Sequence, residues 1–170
     1  MLFRSASPTA VHVSDARVRA RARLAGIPLK NRRFWAAAKL GVVDRGAWPP
    51  DLVRTEVAVV RVGPVELICV PGELYPEIAV GGVECPDGAD FPGPPVEVPP
   101  LRSISKAPLK AVIGLANDEI GYIIPRTQWD ELPPFTYGQP SAPYGEVNSL
   151  GPDAGPVIHA ALKSLLEEEW

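Results

Sequence analysis

Apolar and charged residues alternate strictly between Arg17 and Leu24, with an arginine at every odd position and a small or branched apolar residue at every even one. A period of two predicts a β-strand with one arginine face and one apolar face. Pro28 ends this element. An arginine face is typical of an anion site or of a solvated edge strand, and the frequent charge of edge strands favours the second interpretation.

Further period-two and apolar runs predict a sheet. Residues 55–62 and 65–70 are rich in β-branched residues and flank a Gly-Pro breaker, which predicts a β-hairpin. Residues 110–115 form a short buried strand, and residues 122–124 begin another one after a glycine-bearing turn. The fold class that follows is α+β, with a mixed or antiparallel sheet flanked by short helices.

The sequence also predicts three helices. Asn31 can cap a helix that runs to Leu40, because Gly41 suits the position just after a helix. A short helix is also expected just after Glu73. The chain closes with an amphipathic helix from about Pro156, and its apolar face contains Val157, Ile158, Ala161, Leu162, Leu165 and Leu166.

Two long segments are expected to be loops. Residues 85–100 are proline-rich and cannot hold a helix or a central strand. Residues 125–143 are rich in turns and aromatic side chains, which cap a core slightly more often than they line a ligand channel. Because loops on a rigid scaffold often surround a site, we expect residues 85–100 and residues 129–144 to flank one. Deleting residues 87–98 should then change substrate preference more than stability.

Composition limits the function classes. The chain has 170 residues and 46% hydrophobic residues, which suits one soluble domain. Residues 1–61 contain twelve Lys or Arg and four Asp or Glu, whereas residues 62–170 contain five and sixteen. This division indicates solvated faces, and without interleaved aromatics or a finger motif we expect no nucleic-acid partner.

The cysteines and the N-terminus say little about compartment. Cys69 lies in an apolar run and Cys85 begins a loop, so a disulfide between them is neither indicated nor excluded. The sequence has no transmembrane run and no secretion signal. If the chain is part of a longer protein, a secreted parent remains compatible with this, and the localisation stays open.

Two acidic or phenolic residues follow predicted strands next to glycine. Glu73 follows Pro71-Gly72, and Tyr122 follows Gly121. Taken alone, each has an ordinary structural interpretation, because acids favour helix starts and tyrosines favour half-buried strand positions. His12 and His159 lack the spacing of a metal pair, and we interpret both as structural.

Three longer motifs strengthen the functional interpretation. Pro71-Gly72-Glu73, the run Gly-Leu-Ala-Asn-Asp-Glu-Ile-Gly-Tyr-Ile at residues 114–123, and Tyr-Gly-Glu-Val-Asn-Ser-Leu-Gly-Pro at residues 144–152 occur in this order. Together they resemble the second half of the neutral/alkaline ceramidase catalytic domain, and most closely its uncharacterised bacterial members. The resemblance extends over about residues 10–168, so we interpret residues 1–170 as a single domain portion.

The resemblance implies a zinc site. In that family two histidines from the first half of the domain, with a glutamate and a tyrosine from the second half, hold zinc, and a serine from the first half acts on the amide. Matched by motif, Glu73 and Tyr122 are the metal ligands. Tyr144 matches a second tyrosine that stabilises the oxyanion. Carboxylate and phenolate oxygens suit zinc.

The chain departs from the family in lacking the first half. Two further zinc ligands are therefore expected from a missing upstream segment, and the 170 residues alone are expected to bind zinc weakly and to be inactive. The expected function is part of a zinc-dependent hydrolase of a linear, ceramide-like N-acyl amide, with a small-molecule or lipid substrate. The alternatives are a non-catalytic binding or structural module and an inactive truncated fragment. An upstream half-domain or self-association is expected to cover apolar surface.

Overall fold

The structure is a computed structural model that describes residues 13–14, 16–42 and 51–169. It is an α+β fold of six strands and five short helices within those ranges. In chain order the elements are β1 (Val18–Pro28), α1 (Arg32–Lys39), β2 (Leu52–Val62), β3 (Val65–Cys69), β4 (Glu73–Leu74), α2 (Pro76–Val80), α3 (Leu101–Ile104), β5 (Leu109–Ile113), β6 (Tyr122–Ile123), α4 (Tyr144–Val147) and α5 (Ala154–Glu167).

The main sheet has four strands in the order β1-β2-β3-β5. The first two neighbouring pairs are antiparallel, and β5 lies parallel to β3. The hairpin between β2 and β3 turns at Gly63, whose φ of +55° glycine adopts without strain. The sheet is therefore mixed, as the sequence predicted. Strands β4 and β6 form a separate two-stranded parallel ladder.

The core lies between this sheet and α5. Val57 on β2 and Ile68 on β3 are fully buried, and so are Ile158 and Leu162 on the helix. These positions follow the periods of two and 3.6 that the sequence contains, so the packing follows from the pattern.

The arginines of β1 face the same side as α5. Arg21 forms an ion pair with Glu168 at 3.0 Å, and Arg23 contacts Glu168 at 2.8 Å and the Ser164 hydroxyl at 2.7 Å. The sequence favoured a solvated edge surface for these arginines. They do lie on an edge strand, but their guanidinium groups bind the end of the last helix, where three successive glutamates supply compensating charge.

Local signals for the first helix were correct. The Asn31 side chain accepts hydrogen bonds from the backbone N–H groups of Arg33 and Phe34, at 3.0 and 3.3 Å. The helix α1 ends at Lys39, and Gly41 adopts a φ of +70° beyond it. Residues 85–100 contain no helix or strand, and within the aromatic segment Trp129 is buried.

The short helix expected just after Glu73 is α2, which begins at Pro76 because Glu73 and Leu74 pair in β4. The short helices α3 and α4 were not predicted, since four residues are too few to show a helical period. Among the described helices, none is long and apolar enough to cross a membrane.

Candidate functional site

The candidate site lies where β3 and β5 end. These strands are parallel, so their carboxyl ends meet at one edge of the sheet. Beyond them the backbone N–H of Val70 donates to the Ile113 carbonyl at 2.8 Å, and that of Ala116 donates to the Val70 carbonyl at 2.9 Å. The two segments that follow the strands are therefore held side by side.

Two glycines allow the backbones to approach closely beyond this edge. A Cβ atom on Gly72 would lie 2.4 Å from the Gly121 carbonyl oxygen. Gly121 has a φ of +82°, and a Cβ atom on it would lie 2.0 Å from the Asn148 carbonyl oxygen. Neither position can hold a side chain without a shift of the backbone, so the close approach of the backbones requires glycine at both positions.

This close approach pairs Glu73 with Tyr122. The two residues are direct partners in the β4–β6 ladder, and the Glu73 N–H donates to the Gly121 carbonyl at 3.0 Å. The Tyr122 hydroxyl forms a side-chain hydrogen bond with Glu73, and this bond is the main reason why the pKa of Tyr122 is raised. Partial burial and the nearby charge of Glu73 raise it further. The structure thus brings together the two residues matched as ligands.

Tyr144 lies on α4, beside this pair. Its ring contacts the Tyr122 ring edge-on, with centroids 5.8 Å apart and planes at 81°. Asn148 fixes the arrangement, because its carbonyl accepts from the Tyr122 N–H at 3.0 Å while its side-chain amide donates to the Tyr144 carbonyl at 2.9 Å. Tyr144 is 72% exposed, so its side chain is available to a substrate.

A third tyrosine, Tyr75, belongs to the same cluster and was missed from sequence. Its ring meets the Tyr122 ring edge-on at 6.3 Å, and its hydroxyl lies against Gly145. Burial, followed by the charges of Glu146 and Glu77, raises the pKa of Tyr75 to about 12. Alternation along a strand places residues i and i+2 on one face, so the two-residue spacing from Glu73 was the available signal.

Glu146 is the buried acid behind the tyrosines. It is 5% exposed, and burial raises its pKa to about 7 despite hydrogen bonds from its own N–H and that of Asp130. The charges of Asp130 and Asp90 raise that pKa further. One Glu146 oxygen and one Asp130 oxygen have no hydrogen-bond partner among the described residues.

The two loop segments pack against each other next to the cluster. The Asp90 carboxylate accepts from the N–H groups of Glu131 at 2.7 Å and Leu132 at 3.2 Å, and the Tyr137 hydroxyl donates to Glu84 at 3.0 Å. An open pocket of about 500 Å³ lies at their junction. Its lining residues are Glu84, Cys85, Pro86, Asp87 and Tyr137.

The donor atoms of Glu73 and Tyr122 are of types that bind zinc. The two residues are direct ladder partners, and their side chains interact with each other. Within residues 13–14, 16–42 and 51–169, no group of three or more His, Cys, Asp or Glu could hold a metal ion. The pair therefore fits two positions of a zinc shell, and the metal role of Glu73 and Tyr122 stays a prediction.

Among the described residues, the histidine and the cysteines, whose side chains could also bind a metal, give no support for a metal site. His159 is buried, and its Nε2 lies 2.8 Å from the Pro99 carbonyl oxygen, which agrees with a structural role. His12 lies outside the described residues. Cys69 and Cys85 are free cysteines, so the structure contains no disulfide between them.

Comparisons with known proteins give a match among solved structures alone. No protein-family model matches the chain, and no curated protein matches it. Among solved structures the chain is similar to the neutral ceramidase from Pseudomonas aeruginosa, with 15% sequence identity and a TM-score of 0.44. The similarity covers 89% of this chain and 28% of that chain, so the chain spans less than a third of the length of that protein.

Proposed function

We propose that this chain is part of a zinc-dependent amide hydrolase that resembles neutral ceramidase. The observation that carries the proposal is the direct pairing of Glu73 with Tyr122, whose side chains are hydrogen-bonded although 48 residues separate them in the sequence. Two oxygen donors at the glycine-bearing ends of parallel strands, with a second tyrosine beside them, match the motif resemblance in both residue type and position.

Each of the three residues has a defined part in this proposal. The Glu73 carboxylate and the Tyr122 phenolate hold the metal, and two further ligands come from a segment outside this chain. When bound, zinc supplies Lewis-acid polarisation of the amide carbonyl and activation of water. The Tyr144 hydroxyl donates a hydrogen bond to the oxyanion that develops on the carbonyl oxygen. Its exposure and its contact with Tyr122 support this position.

Protonation of Tyr122 opposes metal binding in the free chain. Its hydroxyl donates to Glu73, so both oxygens are engaged with each other, and the proton must leave before the phenolate can bind. The binding of zinc by only two protein ligands releases little free energy to offset this deprotonation. The chain should therefore bind zinc weakly by itself and hydrolyse no N-acyl amide.

Zinc titration of the chain tests the proposal. Calorimetry and tyrosine difference absorbance should report weak binding that releases a proton. Glu73→Gln and Tyr122→Phe should each abolish this signal. Tyr137→Phe is the matched control, because Tyr137 is also a phenol bonded to a glutamate but lies in the neighbouring pocket. Zinc binding that survives both site variants would reject the assignment of the ligands.

An assay of amide hydrolysis tests the catalytic part of the proposal separately. A fluorescent ceramide analogue should stay intact with the isolated chain and be hydrolysed when an upstream half with the histidines and serine is fused or co-expressed. Tyr144→Phe should then lower kcat more than KM, since its hydrogen bond strengthens in the transition state. Tight zinc binding by the isolated chain with turnover would show that it is a complete enzyme and that the proposed missing half is wrong.

A further inference from the structure

On one face of the main sheet, the rows that cross all four strands consist entirely of apolar residues. Directly paired residues in neighbouring strands share a face, so the register defines three complete rows that cross all four strands. The rows are Val18, Val62, Val65 and Leu109; Ala20, Val60, Leu67 and Ala111; and Ala22, Ala58, Cys69 and Ile113. We call these twelve residues the apolar face.

The apolar face is open to solvent. Val18 is 68% exposed, Leu109 is 58% exposed and Ile113 is 42% exposed. Of the twelve residues, Ala58 alone is buried, and the others are exposed or half-exposed. The opposite face contains Val57, Ile68 and the other residues that pack against α5. A sheet with helix on one side and bare apolar side chains on the other lacks a layer.

The size of this face indicates an interface. Four strands about 4.8 Å apart and five residues at about 3.4 Å each give a flat area on the order of 300 Å². Contiguous exposed apolar patches of this size or larger often mark interaction sites. Side chains stand above the sheet, so two such faces in contact bury on the order of 1,000 Å², near the lower limit of specific interfaces.

We propose that the apolar face binds the same face of a second copy of this chain. None of the twelve side chains is charged, so the face offers no charge pattern that selects a different partner. Two flat sheets of small and branched side chains can interdigitate face to face about 10 Å apart. A two-fold axis through the middle row makes the contact self-complementary, and the modest area makes the dimer weak and dependent on concentration.

The apolar face ends at the row that follows its third row. In that next row Leu24 is 51% exposed, and its partner Glu56 is the first charged residue. The Glu56 carboxylate accepts a hydrogen bond from the Asn117 side chain at 3.4 Å. A second sheet can therefore cover three rows without burying this carboxylate, which limits the desolvation cost.

Sedimentation equilibrium over a range of chain concentrations tests the proposal. We expect a monomer–dimer equilibrium. Ala22→Glu and Ile113→Lys, each on an exposed position of the apolar face, should weaken the dimer at least tenfold. Leu132→Glu is the matched control, because Leu132 is 63% exposed on the aromatic segment and its substitution should leave the dimer unchanged. Thermal melting of each variant verifies folding, and Ala20→Thr and Ala22→Thr provide milder substitutions if either charged variant fails to fold.

Cysteine reactivity gives a second, local measurement. Cys69 lies in the third row, whereas Cys85 is exposed on the proline-rich loop. Alkylation of Cys69 should slow as the chain concentration rises, while alkylation of Cys85 should not. A chain that stays monomeric contradicts the proposal, and so does a dimer that face variants do not weaken. A monomer with concentration-independent protection of Cys69 also contradicts it, since the chain then covers the face itself.

Discussion

Glu73 and Tyr122 are paired residues in a ladder of only two residues per strand, and the neighbouring glycines allow the backbones around this ladder to approach closely. The Ile120 N–H donates to the Pro71 carbonyl at 2.9 Å on one side, and the Tyr75 N–H donates to the Ile123 carbonyl at 3.0 Å on the other. The position of both side chains therefore depends on backbone contacts that any added Cβ atom would disturb.

Gly121→Ala should be strongly destabilising. The φ of +82° disfavours any side chain, and the new Cβ atom would lie 2.0 Å from the Asn148 carbonyl oxygen. Left-handed strain and overpacking together give a loss of about 3 kcal/mol, or roughly 6–12 °C in Tm. Thermal unfolding followed by circular dichroism measures this.

Gly82→Ala distinguishes the backbone strain from the overpacking that Gly121→Ala combines. Gly82 has a φ of +94°, but no atom lies within 4 Å of a Cβ atom built on it. It should lose only about 1–2 kcal/mol from backbone strain. Equal losses in the two variants would mean that the close approach to Asn148 does not constrain the site.

The convergence of Glu73 and Tyr122 was predictable because parallel strands deliver residues to one sheet edge. Tyr75 and Glu146 were harder to find. Tyr75 follows Glu73 at strand spacing, but β4 is too short to be visible as a strand in the sequence. Glu146 gains its role from burial beside Asp130, and a helix of four residues is too short to give a periodic signal.

The apolar face was partly visible in the sequence. The alternation in β1 predicted one apolar and one arginine face, but not which face would meet the core. Apolar residues usually face inward, yet here Ala25 and Ile27, beyond the alternating stretch, share the arginine side and lie in the core. Register with the other strands, which a single sequence does not specify, determined the outcome.

Stability should fall as the pH rises from 5 to 8, and Glu146 should be a main cause. Its pKa is raised to about 7 in the folded chain by burial first and by the Asp130 and Asp90 charges second, against an ordinary value near 4.5. A raised carboxyl pKa means that the folded state holds the proton more tightly. Its contribution to stability is complete below about pH 4 and lost as the pH passes through 7.

Glu146→Gln should flatten this dependence. Glutamine stays neutral at every pH, so the variant should lose less Tm between pH 5 and 8 than the parent and should be the more stable of the two at pH 8. Glu131→Gln, an exposed position in the neighbouring segment, should keep the parental slope. A parental slope in Glu146→Gln would locate the titrating group elsewhere.

Glu97 gives the proline-rich loop a structural role that the sequence did not indicate. Its side chain is 1% exposed, and its carboxylate accepts from the Arg126 N–H at 2.9 Å. Glu97→Ala should cost about 2 kcal/mol, because it leaves a backbone donor without its partner. Val96→Ala, at a half-exposed neighbouring position, should change the unfolding free energy by less than about 0.5 kcal/mol. Urea unfolding compares the two.

Deleting residues 87–98 should therefore reduce stability, in contrast to the expectation from the sequence. The deletion removes Glu97 and also Asp90, which accepts from two backbone N–H groups of the aromatic segment. Unchanged Tm in the deletion variant, with altered substrate preference in a reconstituted enzyme, would restore the original interpretation.

The buried ion pair between Glu66 and Arg61 should be the most costly charge contact to break. Glu66 is fully buried on β3, and its Oε2 lies 2.5 Å from Arg61 Nε on the adjacent strand. Arg61→Met leaves a buried carboxylate without this partner, a change that typically costs about 3–5 kcal/mol. Because the Arg61 side chain is 26% exposed, water can reach the gap, and we expect the lower end of that range.

The double variant Arg61→Met/Glu66→Met distinguishes the net value of the pair from the cost of breaking it. Replacing both charges by apolar side chains of similar volume should recover most of the loss, because no buried charge then remains. Arg19→Met is the matched control, since Arg19 pairs with Arg61 in the same row but is exposed, and it should change stability by less than about 0.5 kcal/mol. Chemical unfolding of the parent, Arg61→Met, Glu66→Met and the double variant completes the cycle. If Arg61→Met alone lost less than about 1 kcal/mol, the pair would contribute little to stability.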